Sequence, residues 1–80
     1  MIVSRMALQR ALNPMPDFVH KALDDEGLRD AYEARPDYQK NDYLGWIVRA
    51  KRPETQAKRL RQMLDELTSG GVYMKMRWNG

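Results

Sequence analysis

Between positions 49 and 61 the chain carries Arg49, Lys51, Arg52, Lys58, Arg59 and Arg61 against one acid, Glu54. Cations at this density attract carboxylates, phosphates or an acidic surface. Residues 17–37 have the opposite balance, with seven acids against Lys21, Arg29 and Arg35. An overall charge of +3 thus hides an acidic side and a basic side. Two readings fit this split. Either the halves attract each other across the fold and keep it soluble, or the basic side docks an anionic partner.

Catalytic side chains are scarce. Histidine occurs once, as His20, beside Lys21 and among acids, which suits a surface imidazole. With no cysteine there is no thiol nucleophile, no disulfide and no cysteine zinc site. Ser4 and Ser69 have no base nearby in sequence. A metal needs several converging ligands, and His20 is the sole imidazole. Asp24, Asp25 and Glu26 are consecutive, so on a helix they point apart and suit capping better than acid–base work. Gly70-Gly71 opens no helix and lacks the spacing of a phosphate loop. The expectation is a non-enzymatic protein with no catalytic residue, metal or cofactor.

Eighty residues allow one domain with one modest core. The apolar share of 42% and charged share of 31% are those of a globular chain. Arg5, Gln9 and Arg10 interrupt the first apolar stretch, and no window reaches the roughly 18 apolar residues of a membrane span. A soluble, cytoplasmic protein is expected, since a cysteine-free chain suits a reducing compartment.

The pattern predicts an all-α fold: a small bundle of four short helices with a C-terminal helical hairpin and flexible or extended tails. Residues 1–13 read as a flexible lead-in, with weak helical character at Met6–Leu12 that Pro14 and Pro16 end. The helical domain covers 14–71. Its first helix runs from Asp17, a capping candidate, to about Leu23, with Phe18, Ala22 and Leu23 on one face. Asp24 or Asp25 can cap a second helix over about Glu26–Ala34, which turns Leu28, Ala31 and Tyr32 inward and stops at Pro36. The third follows Asp37 and runs to about Lys51. Tyr43, Leu44, Trp46, Ile47, Val48 and Ala50 form so wide an apolar sector that this helix should be central, with Gly45 on its outer face. Arg52-Pro53 is the hinge into a fourth helix over about Pro53–Thr68, striped by Ala57, Leu60, Met63, Leu64 and Leu67 and ended by Gly70-Gly71.

Residues 72–80 change period. Val72, Met74, Met76 and Trp78 alternate with Tyr73, Lys75 and Arg77, as in a strand, yet no partner strand is evident. The tail is therefore read as extended or disordered, an arm over the bundle, or an edge for another chain.

Nucleic acid is the alternative partner. Lys58, Arg59 and Arg61 on the last helix could meet phosphates. Against this, Glu54 and Asp65 sit four residues from Lys58 and Arg61, and polar base-reading side chains are few there. Tyr43 and Trp46 read as core residues with polar tips at the rim.

From Tyr43 onward the chain resembles the YdeI/OmpD-associated family, also described as bacteriocin-protection. The resemblance rests on Tyr43-x-x-Trp46-Ile47, on the run Ala50-Lys51-Arg52-Pro53-Glu54-Thr55, and on Ala57-Lys58-Arg59-Leu60 with the apolar stripe after it. It reaches back over roughly residues 14–71. It departs at Gln56, where the family usually has a basic residue, and the separate N-terminal domain that many relatives carry is not expected within these 80 residues. The resemblance implies no reaction, only a link to envelope stress and bacteriocin tolerance. Physically, Pro53 starts a helix, Glu54 and Thr55 fill its first turn, and Lys51 and Arg52 face the carbonyl end of the helix before it. The cluster builds a corner, or it also binds. The binding reading takes Lys51, Arg52, Thr55, Lys58 and Arg59, helped by free N–H groups at the start of the fourth helix, and an acidic protein or other anionic partner.

Overall fold

A computed structural model describes residues 13–78. Residues 1–12 of the expected lead-in, with Ser4, lie outside the described residues, as do residues 79–80. Helices dominate: α1 (Asp17–Asp25), α2 (Arg29–Glu33), α3 (Asp37–Arg49) and α4 (Pro53–Ser69). Two short antiparallel strands follow, β1 (Val72–Tyr73) and β2 (Met76–Arg77).

Proline and glycine set the boundaries. Pro16 and Pro36 hold the extended N-cap positions of α1 and α3, and Pro53 opens α4. Asp17, Asp37 and Glu54 lie in the first turns, where they complement the helix dipole. None of the four helices has a side-chain cap, so the capping expected of Asp17, Asp24 or Asp25 is absent. The prolines already occupy two of those cap positions. Gly27, at φ +67°, lets the chain reverse after α1, and Leu28 N–H closes the turn on the Leu23 carbonyl at 2.9 Å. That turn consumes Glu26 and Gly27, so α1 runs on to Asp25 and α2 begins only at Arg29. Gly70 ends α4 in the left-handed region, φ +83°.

The core joins Val19 and Leu23 of α1, Tyr32 of α2, Tyr43, Leu44 and Ile47 of α3, and Met63, Leu64 and Leu67 of α4. Three expected inner residues are exposed instead: Phe18, Ala57 and Val48, the last 38% exposed on the outer side of α3. Phe18 is 41% exposed, because the i, i+4 pair Val19–Leu23 turns inward and leaves it about 100° round the helix. Ala57 is exposed too, since the buried part of α4 begins nearer its middle. α2, α3 and β1 all pack on α4, which makes α4 a hub. The wide sector of α3 has another cause. Trp46 lies under an arginine of α4, and Gly45 is buried rather than outward. A Cβ at Gly45 would stand 2.8 Å from the Asn13 side-chain nitrogen. Asn13 is held there by bonds to the Asn41 Oδ1 (2.8 and 2.9 Å) and the Asn41 carbonyl (3.2 Å). The glycine is a seat for a side chain of the segment that leads into α1.

The tail finds its partner strand in itself. Val72 pairs with Arg77 and Tyr73 with Met76 across a turn at Met74-Lys75. Both turn residues have positive φ, 51° and 66°, where hairpins favour Asn and Gly. Such a conformation costs roughly 1 kcal/mol or more per residue, so this turn needs support from outside itself.

Candidate binding surface: the α3–α4 corner and the buried carboxylate beneath the tail

The cations around Pro53 do not behave alike. Lys51 and Lys58 are exposed, and among the described residues their ammonium groups have no carboxylate partner. Arg52 approaches Glu54 at 3.6 Å, but the two side chains are 71% and 68% exposed, so the pair is screened and worth little. Thr55 is half-buried. Arg59 is committed to the fold: it donates to the Trp46 carbonyl at 2.7 Å, and its guanidinium lies 5.3 Å over the Trp46 ring. Gln56 donates to the Ala50 carbonyl at 3.0 Å. Both thus satisfy carbonyls at the C-terminal end of α3. The expected free N–H groups of α4 are mostly taken. Pro53 has none, and Thr55 and Gln56 both donate to the Arg52 carbonyl at 3.0 Å.

Arg61 ties the basic side to the acidic side. It grips Glu26 with two bonds of 2.8 and 2.9 Å and Asp65 with one of 3.1 Å. The guanidinium holds the Glu26 carboxyl below the usual range, and the two carboxylates raise the Arg61 pKa. This contact realises the attraction between halves and occupies a proposed phosphate contact. His20 accepts a bond of 3.1 Å from Arg29 at the exposed surface. Among the described residues no group of three or more His, Asp or Glu could hold a metal ion, and no helix is long and apolar enough to cross a membrane.

A second constellation has no counterpart in the sequence reading. Glu66 is only 5% exposed, and its carboxylate collects four donors. The Tyr43 hydroxyl donates to one oxygen in a short bond, as does Met74 N–H at 2.8 Å. The other oxygen accepts from Lys75 N–H at 2.9 Å and from Gln62 at 3.0 Å. The charge is stabilised by hydrogen bonds rather than by a counter-ion, and two of them hold the strained turn. Arg35, 4% exposed, donates to the Glu66 main-chain carbonyl and to the Gln39 side chain, each at 3.0 Å. Its guanidinium lies 4.5 Å over the Trp78 ring. Tyr73 stands edge-on to Tyr43 and Tyr38, at 5.5 and 5.9 Å, and donates to Asp42 at 2.5 Å. Beside this site Lys58, Arg61, Gln62, Asp65, Glu66 and Lys75 line an open depression of about 500 Å³. Glu66 flanks the apolar stripe of α4 without belonging to it, so periodicity does not single it out.

Burial raises the pKa of three tyrosines. Tyr32 is pushed up to about 12. Tyr43 and Tyr73 are also raised, by burial first and then by their bonds to Glu66 and Asp42. Below pH about 10 both the folded and unfolded states keep these protons. Above it the unfolded chain ionises first, so stability is lost as pH rises towards the folded-state values. Urea melts should give a stability that is flat from neutral pH to about pH 10 and then falls by up to about 1.4 kcal/mol per pH unit for each buried phenol.

No curated protein and no solved structure matches the chain. A sequence model of the family described as bacteriocin-protection, YdeI or OmpD-associated matches residues 14–70. That span includes the four helices of the described residues, the corner around Pro53 and Glu66 itself, and it stops before the tail hairpin. The chain belongs to the bacteriocin-protection, YdeI or OmpD-associated family.

Proposed function

We propose that the protein is a non-enzymatic interaction module that binds an acidic protein partner through the corner between α3 and α4. In this reading α3 and α4 form an antiparallel hairpin, and its bend presents Lys51, Arg52 and Lys58. Thr55 lines the contact, and Arg59 keeps the corner rigid. The observation that carries the reading is the exposure of Lys51 and Lys58 without carboxylate partners among the described residues. Cations left unneutralised beside a rigid bend are suited to steering and orienting an anionic partner. The family's description supports a role in bacteriocin tolerance; a cytoplasmic location and a link to envelope stress are part of the proposal.

The test is the affinity of the full chain for an acidic protein captured from extract. Lys51→Glu with Lys58→Glu should weaken it about tenfold or more, since each reversal replaces an attraction of up to about 1 kcal/mol by a repulsion of similar size. Raising the salt should weaken the wild type more than the double variant. Random duplex DNA should not bind at physiological salt. DNA binding that is lost on Lys58→Glu and Arg61→Glu would replace this reading by nucleic-acid recognition, and partner binding indifferent to both lysines would remove it.

A further inference from the structure

We infer that the socket formed by Arg35, Tyr43, Gln62 and Glu66 is a receptor for a β-turn of a partner peptide, and that the chain's own tail fills it as an intramolecular stand-in. This site is separate from the corner cations. Its residues lie inside the family-matched span 14–70, whereas the hairpin that fills it, 72–77, lies outside. The socket is built and polar. Glu66 and Arg35 are both at least nine-tenths buried, and their polar atoms are aimed at the tail or held by neighbours.

What the socket reads is general. Glu66 accepts the main-chain N–H groups of Met74 and Lys75, at 2.8 and 2.9 Å, which every residue but proline can supply. Arg35 reads an indole face at 4.5 Å, and Tyr43 reads an aromatic edge at 5.5 Å. The matching ligand is a peptide turn with two consecutive outward N–H groups, an aromatic residue just before them and an indole three residues after the second. The resident tail meets that description imperfectly. Both central residues are held at positive φ without being Asn or Gly, and each strand has only two residues. A partner turn with Asn-Gly at its centre makes the same contacts without that strain. It can therefore displace the resident tail, despite the tail's advantage of being tethered.

The probe is a labelled synthetic peptide, Val-Tyr-Asn-Gly-Met-Arg-Trp, titrated into full-length chains. Trp78→Ala weakens the resident tail, and Met74→Asn with Lys75→Gly strengthens it. Affinity for the peptide should fall in the order Trp78→Ala, wild type, Asn-Gly variant, by at least fivefold at each step. Adding Glu66→Gln to Trp78→Ala should cut binding tenfold or more. Equal affinity across the three chains, or binding that survives Glu66→Gln, overturns the proposal. If circular dichroism shows that Trp78→Ala has lost its helices, the wild type and the Asn-Gly variant decide alone. Binding to the wild type that the Asn-Gly variant lacks supports the socket, and no binding to the wild type at millimolar peptide overturns it. A wild-type dimer that the peptide splits assigns the socket to a second copy's tail and overturns the partner-peptide reading.

Discussion

Glu66→Ala should lower the unfolding free energy by about 3 kcal/mol or more, the largest loss of any single polar substitution among the described residues. The reason is the number of groups left without an acceptor. The Tyr43 hydroxyl, Met74 N–H, Lys75 N–H and the Gln62 side-chain amide all converge on this carboxylate. Each buried donor left unsatisfied costs about 1–3 kcal/mol, less any relief from water entering the gap. A chain of this length has a total stability on the order of 4–12 kcal/mol, so the loss is a large fraction of it. Thermal melts should fall by roughly 12–24 °C. Glu66→Gln keeps the volume and removes only the charge, so it should lie between alanine and the wild type. An alanine variant within about 1 kcal/mol of the wild type would mean that the carboxylate is not holding the tail.

Ile47→Ala should destabilise by about 2–5 kcal/mol, while Val48→Ala, one residue along, should cost about 1 kcal/mol or less. Ile47 is fully buried, and Val48 is 38% exposed. The first substitution leaves a void between α3 and its neighbours, and the second removes methyl groups already in contact with water. Because the positions are adjacent, their ranking tests which face of α3 looks inward. Denaturant midpoints measured at equal slope give the comparison. A reversed order would mean that α3 is rotated by about 100° from the packing described here.

The outline of the fold was legible because its boundaries are written in proline and glycine. Pro36 and Pro53 stop or start helices at the expected residues, and Gly70 ends α4 in the left-handed region. These are backbone constraints local to one or two residues, and a sequence displays them directly. The family resemblance was carried by the same stretch, from Tyr43 to the turn after Leu67, and the family match confirms it.

What was not legible depends on contacts between distant positions. Phe18 and Val19 are both apolar, and only packing decides which turns inward. Gly45 looked outward by helix geometry until Asn13 came to rest on it. The tail showed strand alternation but no Asn-Gly or Asp-Gly turn signal, because Met74-Lys75 is held in shape by Glu66 from eight and nine residues away. Of the candidate site residues, Lys51, Arg52 and Lys58 are exposed and Thr55 is half-buried. Arg59 instead braces Trp46, a role that became visible only when α4 was set against α3.

The clamp on the tail can be read at two atoms. Among the described residues, the acceptor of the Met74 and Lys75 amides is in each case a Glu66 oxygen, and the two-stranded pairing itself does not use them. Their hydrogen exchange, followed by NMR in the wild type and in Glu66→Gln, therefore reports the carboxylate, most directly at Lys75, since the Met74 N–H also lies against the Tyr43 hydroxyl. Slow exchange at both amides in the wild type, accelerated in Glu66→Gln at least tenfold more than the core amides of α4, is the expected result. Exchange of both at the rate of a free peptide in the wild type would contradict it.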